Sequence, residues 1–165
     1  MLAIKSCTIY IGEMIHDDRK PALGPDPLED FLCFSLYGAG LAMNRLYKPL
    51  LDPFGITYPQ YLALIALRTQ EGRTVGELGE RLFLESNTLT PLIKRLEAAG
   101  LVTRTRDKSD ERVVRVHLTD AGRTATDRAL ACVPMQVFEA SGLTAGQVAE
   151  MNQALSTLRD AMLKR

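Results

Sequence analysis

The stretch TVGELGERLFLESNTLTPLIKRLEAAGLVTRTRDKSDERVVRVHLTDAG, residues 74–122, places two short helical segments directly before two strand-like segments. The first helical segment opens on Thr74, and Glu77 follows three residues later, which is the pattern of a capping box. The second helical segment ends at Gly100, a residue typical of a helix C-terminus. Only the residues FLES separate the two segments. This short connection predicts a helix-turn-helix.

The residues after Gly100 change from helical to strand-like periodicity. LVTRTRD and RVVRVHL alternate in the manner of strands, and KSDE joins them, so we predict a β-hairpin with a charged tip. We expect Ser86 or Asn87 to cap the helix that precedes the hairpin. A helix-turn-helix followed at once by a hairpin is a winged helix, an architecture typical of DNA-binding proteins.

Helices are predicted on both sides of this stretch. Apolar residues recur at helical spacing over residues 28–52, and a further helix begins near Thr57 or Tyr58. A long helix is predicted from Thr119 to about Gly142, and a final helix with an apolar stripe follows it. The predicted order is four helices, a hairpin and two helices. This order indicates a mainly α fold of the α+β class.

The charge pattern limits any nucleic-acid surface to one region of the chain. Twenty basic and twenty acidic residues give the 165-residue protein no net charge, so composition predicts no general attraction to nucleic acid. Between Ser86 and Arg115, however, seven basic residues outnumber four acidic residues. We expect the polar start of the second helix and the cations after it to contact DNA. These candidates are Ser86, Asn87, Thr88, Thr90, Lys94, Arg95, Arg104, Arg106, Lys108 and Arg112.

The tip of the hairpin carries a further expectation. Asp110 lies two residues before Arg112. An acid at this spacing is expected to hold the arginine extended into a narrow minor groove, where negative potential favours a cation. The alternative interpretation is a solvated turn of mixed charge.

The remaining composition argues against several classes of protein. Three cysteines without paired or metal-like spacing indicate thiols in a reducing compartment. The start of the chain lacks the apolar core of a signal peptide, and no run approaches the roughly 18 apolar residues that span a bilayer. We therefore expect a cytoplasmic protein without a membrane partner. His16 and His117 are isolated, so we expect no metal and no cofactor.

At this point the run from Thr74 to Gly122 resembles the MarR family of dimeric winged-helix regulators, and the resemblance extends over residues 28–164. It implies a homodimer that binds a pseudo-palindromic operator in double-stranded DNA with its recognition helices in successive major grooves. We accordingly assign residues 28–56 and 119–165 to N- and C-terminal dimerisation helices and residues 57–118 to the DNA-binding region. RKPALGPDP ends a leader, residues 1–27, that we interpret as flexible or loosely attached.

Two further segments, LCFSLYGAGLAMNRLYKPLL and ITYPQYLALIAL, are similar to the organic-hydroperoxide-sensing, OhrR-like branch of that family. The resemblance implies that Cys33 is the redox-sensing cysteine, that Tyr47 and Tyr58 assist it, and that Tyr37 lies nearby. Phenol hydroxyls that donate hydrogen bonds to a thiolate favour the charged form and lower the pKa of the thiol. The alternative interpretation of Cys33 is an inert thiol in an apolar helix.

Spacing along the helix indicates how such a site is built. Cys33 and Tyr47 are fourteen residues apart, which corresponds to about 21 Å at about 1.5 Å per residue. One helix cannot bring the two side chains together. We therefore expect each Cys33 to contact Tyr47 and Tyr58 of a partner chain.

The fate of the oxidised sulfur stays open. A sulfenic acid condenses either with a second protein cysteine or with a small thiol. Cys132 is a candidate resolving thiol, although packing is the favoured interpretation, and Cys7 on the leader is interpreted as incidental. We prefer a mixed disulfide with a small thiol.

Three functions are compared. The first is a transcriptional repressor, not an enzyme, that releases its operator when an organic hydroperoxide oxidises Cys33. The second is a MarR-type repressor gated by a non-covalent phenolic or lipophilic ligand, in which Cys33 is incidental. The third is a thiol peroxidase, which ranks last because the residues around Cys33 include no cation to support turnover.

Overall fold

The computed structural model describes residues 27–107, 110 and 112–164 of the chain. Residues 1–26, which hold Cys7 and nearly all of the proposed leader, lie outside the described residues, as does Lys108. The described elements are α1 (Leu32–Leu51), a 3-10 turn (Asp52–Phe54), α2 (Tyr58–Thr69), β1 (Arg73–Thr74), α3 (Val75–Leu82), α4 (Ser86–Ala98), β2 (Val102–Arg106), β3 (Val114–Leu118), α5 (Asp120–Ser141) and α6 (Ala145–Leu163).

The predicted fold class is confirmed: helices dominate the described chain, and a small antiparallel sheet follows the helix-turn-helix. The hairpin of β2 and β3 runs in register from Val102 opposite Leu118 to Arg106 opposite Val114. A third, two-residue strand was missed from the sequence. β1 pairs with β3, with Arg73 opposite Val116, so the sheet order is β1-β3-β2.

The chain divides into two compact units between Asn44 and Arg45. The described part of the first unit is a turn at residues 27–30 and the beginning of α1, whose helix starts four residues later than the sequence indicated. Every side chain from Phe31 to Asn44 is exposed in the single chain. No helix of the described residues is both long enough and apolar enough to cross a membrane.

The second unit holds the hydrophobic core. Leucine, isoleucine and valine side chains from the end of α1, from α2 to α5 and from the sheet fill it. The burial of this surface is the main favourable contribution to folding. The fully buried members with the largest side chains include Leu51, Leu64, Leu67, Leu78, Leu89, Ile93, Leu96, Val102, Val116 and Val133.

The ends of the helix-turn-helix helices follow the sequence with one correction. The capping box of α3 is formed: Glu77 N–H donates to Thr74 Oγ1 at 3.1 Å, and Thr74 N–H donates to Glu77 Oε2 at 2.6 Å. The prediction that Ser86 or Asn87 caps α4 is wrong, because the N-cap is Glu85 and makes no side-chain cap. The Glu85 carbonyl oxygen instead accepts hydrogen bonds from the first turn, which leaves the short polar side chains facing outward.

A tight junction joins the winged helix to α5. Thr119, the N-cap of α5, donates its amide to the carbonyl oxygen of Leu101 at 3.1 Å and its hydroxyl to that of Gly100 at 2.7 Å. Gly122 is buried against Leu101, and a Cβ at this position would overlap the Leu101 carbonyl oxygen. Only glycine allows the first turn of α5 to approach the backbone this closely.

We expect Gly122→Ala to destabilise the protein by about 1–3 kcal/mol, the usual cost of forcing an added carbon into a packed site. Urea unfolding at a fixed protein concentration measures the change. The matched control is Gly146→Ala in α6, where the nearest atom to the added carbon is Thr144 Oγ1 at 4.0 Å. Equal stability of the two variants would contradict the importance of the Leu101 junction.

Candidate DNA interface and tyrosine cluster

The start of α4 presents polar groups on the surface. Ser86, Asn87 and Thr88 are exposed in the first turn. The N–H of Thr88 donates to the Glu85 carbonyl oxygen at 3.0 Å, whereas an α-helix offers no intrahelical acceptor to the N–H groups of its first two residues. Thr90 is half-buried, and Lys94 and Arg95 are exposed one turn further on. The opposite face of the helix is anchored in the core by Leu89, Leu92, Ile93 and Leu96. An anchored helix with a polar first turn suits contact with phosphates and base edges.

A cavity of about 500 Å³ lies between the start of α3, the start of α4 and the hairpin. Ser86 and Thr90 line it from α4, and Arg104 and Arg112 line it from the hairpin. The structure thus brings the helix and hairpin candidates to the same side of the winged helix. This side combines hydroxyls with guanidinium groups, which are donors suited to a nucleic-acid backbone.

Two hairpin arginines are held by acids of the same chain. The guanidinium of Arg104 pairs with Glu97 at 2.5 Å, and this hydrogen bond holds the pKa of the Glu97 carboxyl below its ordinary value. Arg115 pairs with Asp107 at 2.5 Å and also donates to the carbonyl oxygen of Gly72 at 2.9 Å. Arg115 therefore fixes the hairpin to the chain before β1.

The tip of the hairpin holds Asp110 and Arg112 in contact. The carboxylate of Asp110 accepts a hydrogen bond from the backbone amide of Arg112 at 3.0 Å, so this contact shapes the turn. The extension of the Arg112 side chain into a minor groove stays a prediction. Arg106, Asp110 and Arg112 are all exposed.

Three tyrosines cluster where the end of α1 meets α2. The ring centroids of Tyr47 and Tyr58 are 4.3 Å apart, and those of Tyr47 and Tyr61 are 6.2 Å apart. The structure therefore brings together the two tyrosines that the sequence singled out. Tyr61 was missed, although the spacing in TYPQY places it one turn after Tyr58 on the same helical face.

The three phenols differ in burial. Tyr47 and Tyr58 are half-buried, whereas Tyr61 is 2% exposed. Burial raises the pKa of Tyr47 above its ordinary value, with a smaller contribution from Tyr58, and burial also raises the pKa of Tyr58. Burial is also the largest cause that raises the pKa of Tyr61 to about 12. All three hydroxyls consequently stay protonated at neutral pH and can donate hydrogen bonds.

The described cysteines occupy different environments. Cys33 is an exposed thiol at the second position of α1, and Tyr37 is 63% exposed on the same helix. Cys132 is half-buried in α5, and its thiol lies 3.3 Å from the carbonyl oxygen of Arg128. Cys33 belongs to the first compact unit, whereas Cys132 and the tyrosine cluster belong to the second. Across residues 27–107, 110 and 112–164, no three His, Cys, Asp or Glu side chains are grouped to hold a metal ion.

The fold and the polar face of α4 define a winged-helix DNA-binding protein, and comparison with known proteins gives the family. Residues 45–129 match the family described as transcriptional regulator SarA/Rot. The chain is 45% identical to the HTH-type transcriptional regulator TtmR of Methylorubrum extorquens over 86% of this chain and 72% of that protein. It is 43% identical to the organic hydroperoxide resistance transcriptional regulator of Bacillus subtilis over 82% of this chain and 91% of that protein.

The chain is also similar in structure to solved transcriptional regulators. Reduced AbfR bound to DNA superposes with a TM-score of 0.71 at 34% identity, over 83% of this chain and 93% of that chain. Disulfide-formed AbfR superposes with a TM-score of 0.58 at 37% identity, over 77% and 88% of the two chains. Apo MarR from E. coli superposes with a TM-score of 0.65 at 27% identity, over 78% of this chain and 96% of that chain. The chain belongs to the SarA/Rot family of MarR-like winged-helix transcriptional regulators.

The raised pKa of Tyr61 predicts a loss of stability at alkaline pH. Folded Tyr61 keeps its proton up to about pH 12, whereas an unfolded tyrosine loses it near pH ~10. The folded chain therefore binds more protons in this interval, and its stability falls as the pH rises through it. We expect Tyr61→Phe to remove part of that fall, on the order of 1 kcal/mol between about pH 10 and about pH 11.

Urea unfolding of both proteins across this pH interval makes the comparison. An identical alkaline decline in the wild-type protein and in Tyr61→Phe would contradict the burial of this hydroxyl.

Proposed function

We propose that this regulator is a homodimeric repressor that senses organic hydroperoxides through Cys33 and then releases its operator. The observation that carries the proposal is the pairing of Tyr47 and Tyr58, whose rings lie 4.3 Å apart with both phenols protonated. Two adjacent phenol donors form a site for an anionic sulfur. The Bacillus subtilis organic hydroperoxide resistance regulator, at 43% identity, supports the choice of signal.

The dimer is proposed from apolar side chains that the single chain leaves in solvent. They lie on residues 28–43, which lead into α1 and form more than half of it, and on α5 and α6, outside the winged helix. Exposed apolar surface on several helices is typical of an interface between subunits. The exposed residues are Leu28, Phe31, Leu32, Phe34, Leu36, Tyr37, Leu41, Met43, Leu130, Met135, Phe138, Met151, Leu155, Met162 and Leu163.

In this dimer each Cys33 meets the tyrosine pair of its partner. Fourteen residues of one helix separate Cys33 from Tyr47, about 21 Å along the axis, so the contact has to come from a second chain. The hydroxyls of Tyr47 and Tyr58 donate hydrogen bonds to the Cys33 sulfur, and such bonds favour the thiolate form. Apolar neighbours such as Phe31 and Phe34 favour an organic peroxide over hydrogen peroxide.

The sensing step is an oxygen transfer. The Cys33 thiolate attacks the distal oxygen of the hydroperoxide, the O–O bond breaks, and the alkoxide leaves as the alcohol after taking a proton. The sulfur becomes a sulfenic acid and the peroxide is reduced. The added oxygen occupies space where the thiolate accepted hydrogen bonds, so the contact between Cys33 and the partner's tyrosines rearranges. The winged helices of the two subunits then shift relative to each other.

The sulfenic acid then reacts with a small thiol to give a mixed disulfide and water. The alternative acceptor is Cys132. The contact of its thiol with the Arg128 carbonyl oxygen favours a packing role, whereas the disulfide-formed state of AbfR favours a second protein thiol. Cys7 lies outside the described residues. Intact mass after oxidation with and without a small thiol separates these products.

The reduced dimer binds a pseudo-palindromic site with the first turn of each α4 in the major groove and each hairpin beside it. The contacts are proposed for the residues named from the sequence, with Lys108 outside the described chain. The DNA-bound structure of reduced AbfR supports DNA binding by the reduced protein.

Replacement of Cys33 by serine tests the sensor. We expect Cys33→Ser to bind operator DNA with unchanged affinity and to remain bound when an organic hydroperoxide such as cumene hydroperoxide is added. Fluorescence anisotropy of labelled operator DNA measures both properties. Cys132→Ser is the matched control and is expected to release DNA as the wild-type protein does.

Continued release by Cys33→Ser would instead favour the repressor gated by a non-covalent phenolic or lipophilic ligand. Turnover of many peroxides per protein chain would favour the thiol peroxidase.

Replacement of Arg112 tests the hairpin. Arg112 is exposed and lines the cavity beside α4, so we expect Arg112→Ala to weaken operator binding. The slope of log K against log salt should fall by about 0.9, which corresponds to one lost phosphate contact. Arg128→Ala on α5 is the control and should leave the slope unchanged. A wild-type slope in Arg112→Ala would place the hairpin away from DNA.

A further inference from the structure

The hydroxyl of Tyr61 has no hydrogen-bond partner among the described residues. Its oxygen is also inaccessible to water. Tyr61 is 2% exposed, and its ring packs 6.2 Å from that of Tyr47 in the tyrosine cluster. A buried hydroxyl without a partner costs stability, and most buried polar groups in proteins avoid this cost. The aromatic ring of Tyr61 is enough to explain its packing in the cluster, but it does not explain why the side chain carries a hydroxyl.

We propose that Tyr61 is a positioning residue for the oxidised state, in which its hydroxyl donates a hydrogen bond to the oxygen that the sensor sulfur gains. This inference rests on the proposed function, because it requires a sulfenic acid on Cys33. The oxygen comes from the organic hydroperoxide, whose O–O bond breaks as the S–O bond forms and whose remainder leaves as an alcohol. In the reduced state there is no such oxygen, and the hydroxyl stays unsatisfied.

The packing of Tyr61 against Tyr47 explains how the hydroxyl is kept for the oxidised state. Tyr47 contacts both other rings, at 4.3 Å from Tyr58 and 6.2 Å from Tyr61. Because the Tyr61 oxygen is inaccessible, a new partner reaches it only if side chains packed around Tyr61 move, and Tyr47 is one of these side chains. Tyr47 lies in the last turns of α1. The hydrogen bond to Tyr61 therefore favours a displaced Tyr47, and with it a displaced end of α1.

The hydrogen bond proposed for the oxidised state gives the three phenols different roles. Tyr47 and Tyr58 are half-buried and donate to the thiolate before oxidation, so they govern the rate of oxidation. Tyr61 contributes only after oxygen transfer, so it governs the lifetime of the sulfenic acid and the position of the relaxed state. A residue that only packed against Tyr47 would not distinguish these two steps.

The test is Tyr61→Phe, which keeps the ring and removes the hydroxyl. The variant and the wild-type protein are treated with one equivalent of cumene hydroperoxide without added thiol. Intact mass spectrometry then follows formation and decay of the singly oxidised Cys33. We expect an unchanged rate of oxidation, a sulfenic acid lifetime shortened about fivefold, as one lost hydrogen bond implies, and unchanged or raised thermal stability of the reduced variant.

Tyr47→Phe and Tyr58→Phe are the comparison variants, and both should slow the oxidation step. A wild-type lifetime in Tyr61→Phe, or a slowed oxidation with no change in lifetime, would overturn the role of Tyr61 and leave the proposed function intact. Failure of the wild-type protein to form any oxidised Cys33 would contradict both the role of Tyr61 and the proposed function. The melting temperature of reduced Tyr61→Phe shows that the variant is folded before the comparison is made.

Discussion

The contact between Leu101 and the first turn of α5 is the constraint on which the rest of the winged helix depends. At this contact α4 has just ended, β2 begins and β3 ends. Thr119 then starts α5 and donates hydrogen bonds to the carbonyl oxygens of Gly100 and Leu101. The absence of a side chain at Gly122 lets the two backbones touch. Ion pairs of Arg68 with Asp127 and of Arg123 with Glu71 add contacts of α5 with α2 and the turn that follows α2. These contacts fix the first turns of α5 to the segment that directly follows α4.

The tyrosine cluster includes the start of α2, whereas Arg68, which pairs with α5, lies at the end of the same helix. It joins the end of α1 to α2, so a change in its packing acts on elements fixed to the core by Leu51 and Leu64. Packed cores respond to local change by moving between discrete arrangements because they deform little. Under the proposed mechanism a single added oxygen shifts such an arrangement, since it changes which phenol hydroxyls find partners. The energy of the switch then comes from hydrogen bonds gained and lost in a site that excludes water.

Much of the fold is predictable because its signals are local. The capping box at Thr74, the glycine after α4 and the alternation of the hairpin each depend on a few neighbouring residues, and each formed as expected. The two-residue strand β1 was missed because it exists only through pairing with β3, far along the chain. The burial of Tyr61 was missed for the same reason, since periodicity places it beside Tyr58 but does not reveal which phenol becomes sealed. Spacing placed Asp110 beside Arg112 but did not reveal that their contact runs through the Arg112 backbone amide.

The charges of the hairpin show why a count of cations overstates DNA affinity. Arg104 is paired with Glu97 and Arg115 with Asp107, so part of the local positive charge is neutralised by acids of the same chain. In a chain with no net charge, nonspecific attraction to DNA is correspondingly weak. In the proposed homodimer, binding then depends on two winged helices engaging one site with the correct separation, because each winged helix alone contributes few phosphate contacts. Under this proposal, a small change in the dimer that mismatches the separation removes the contacts of one winged helix, so a regulator of this charge needs no large movement to leave its operator.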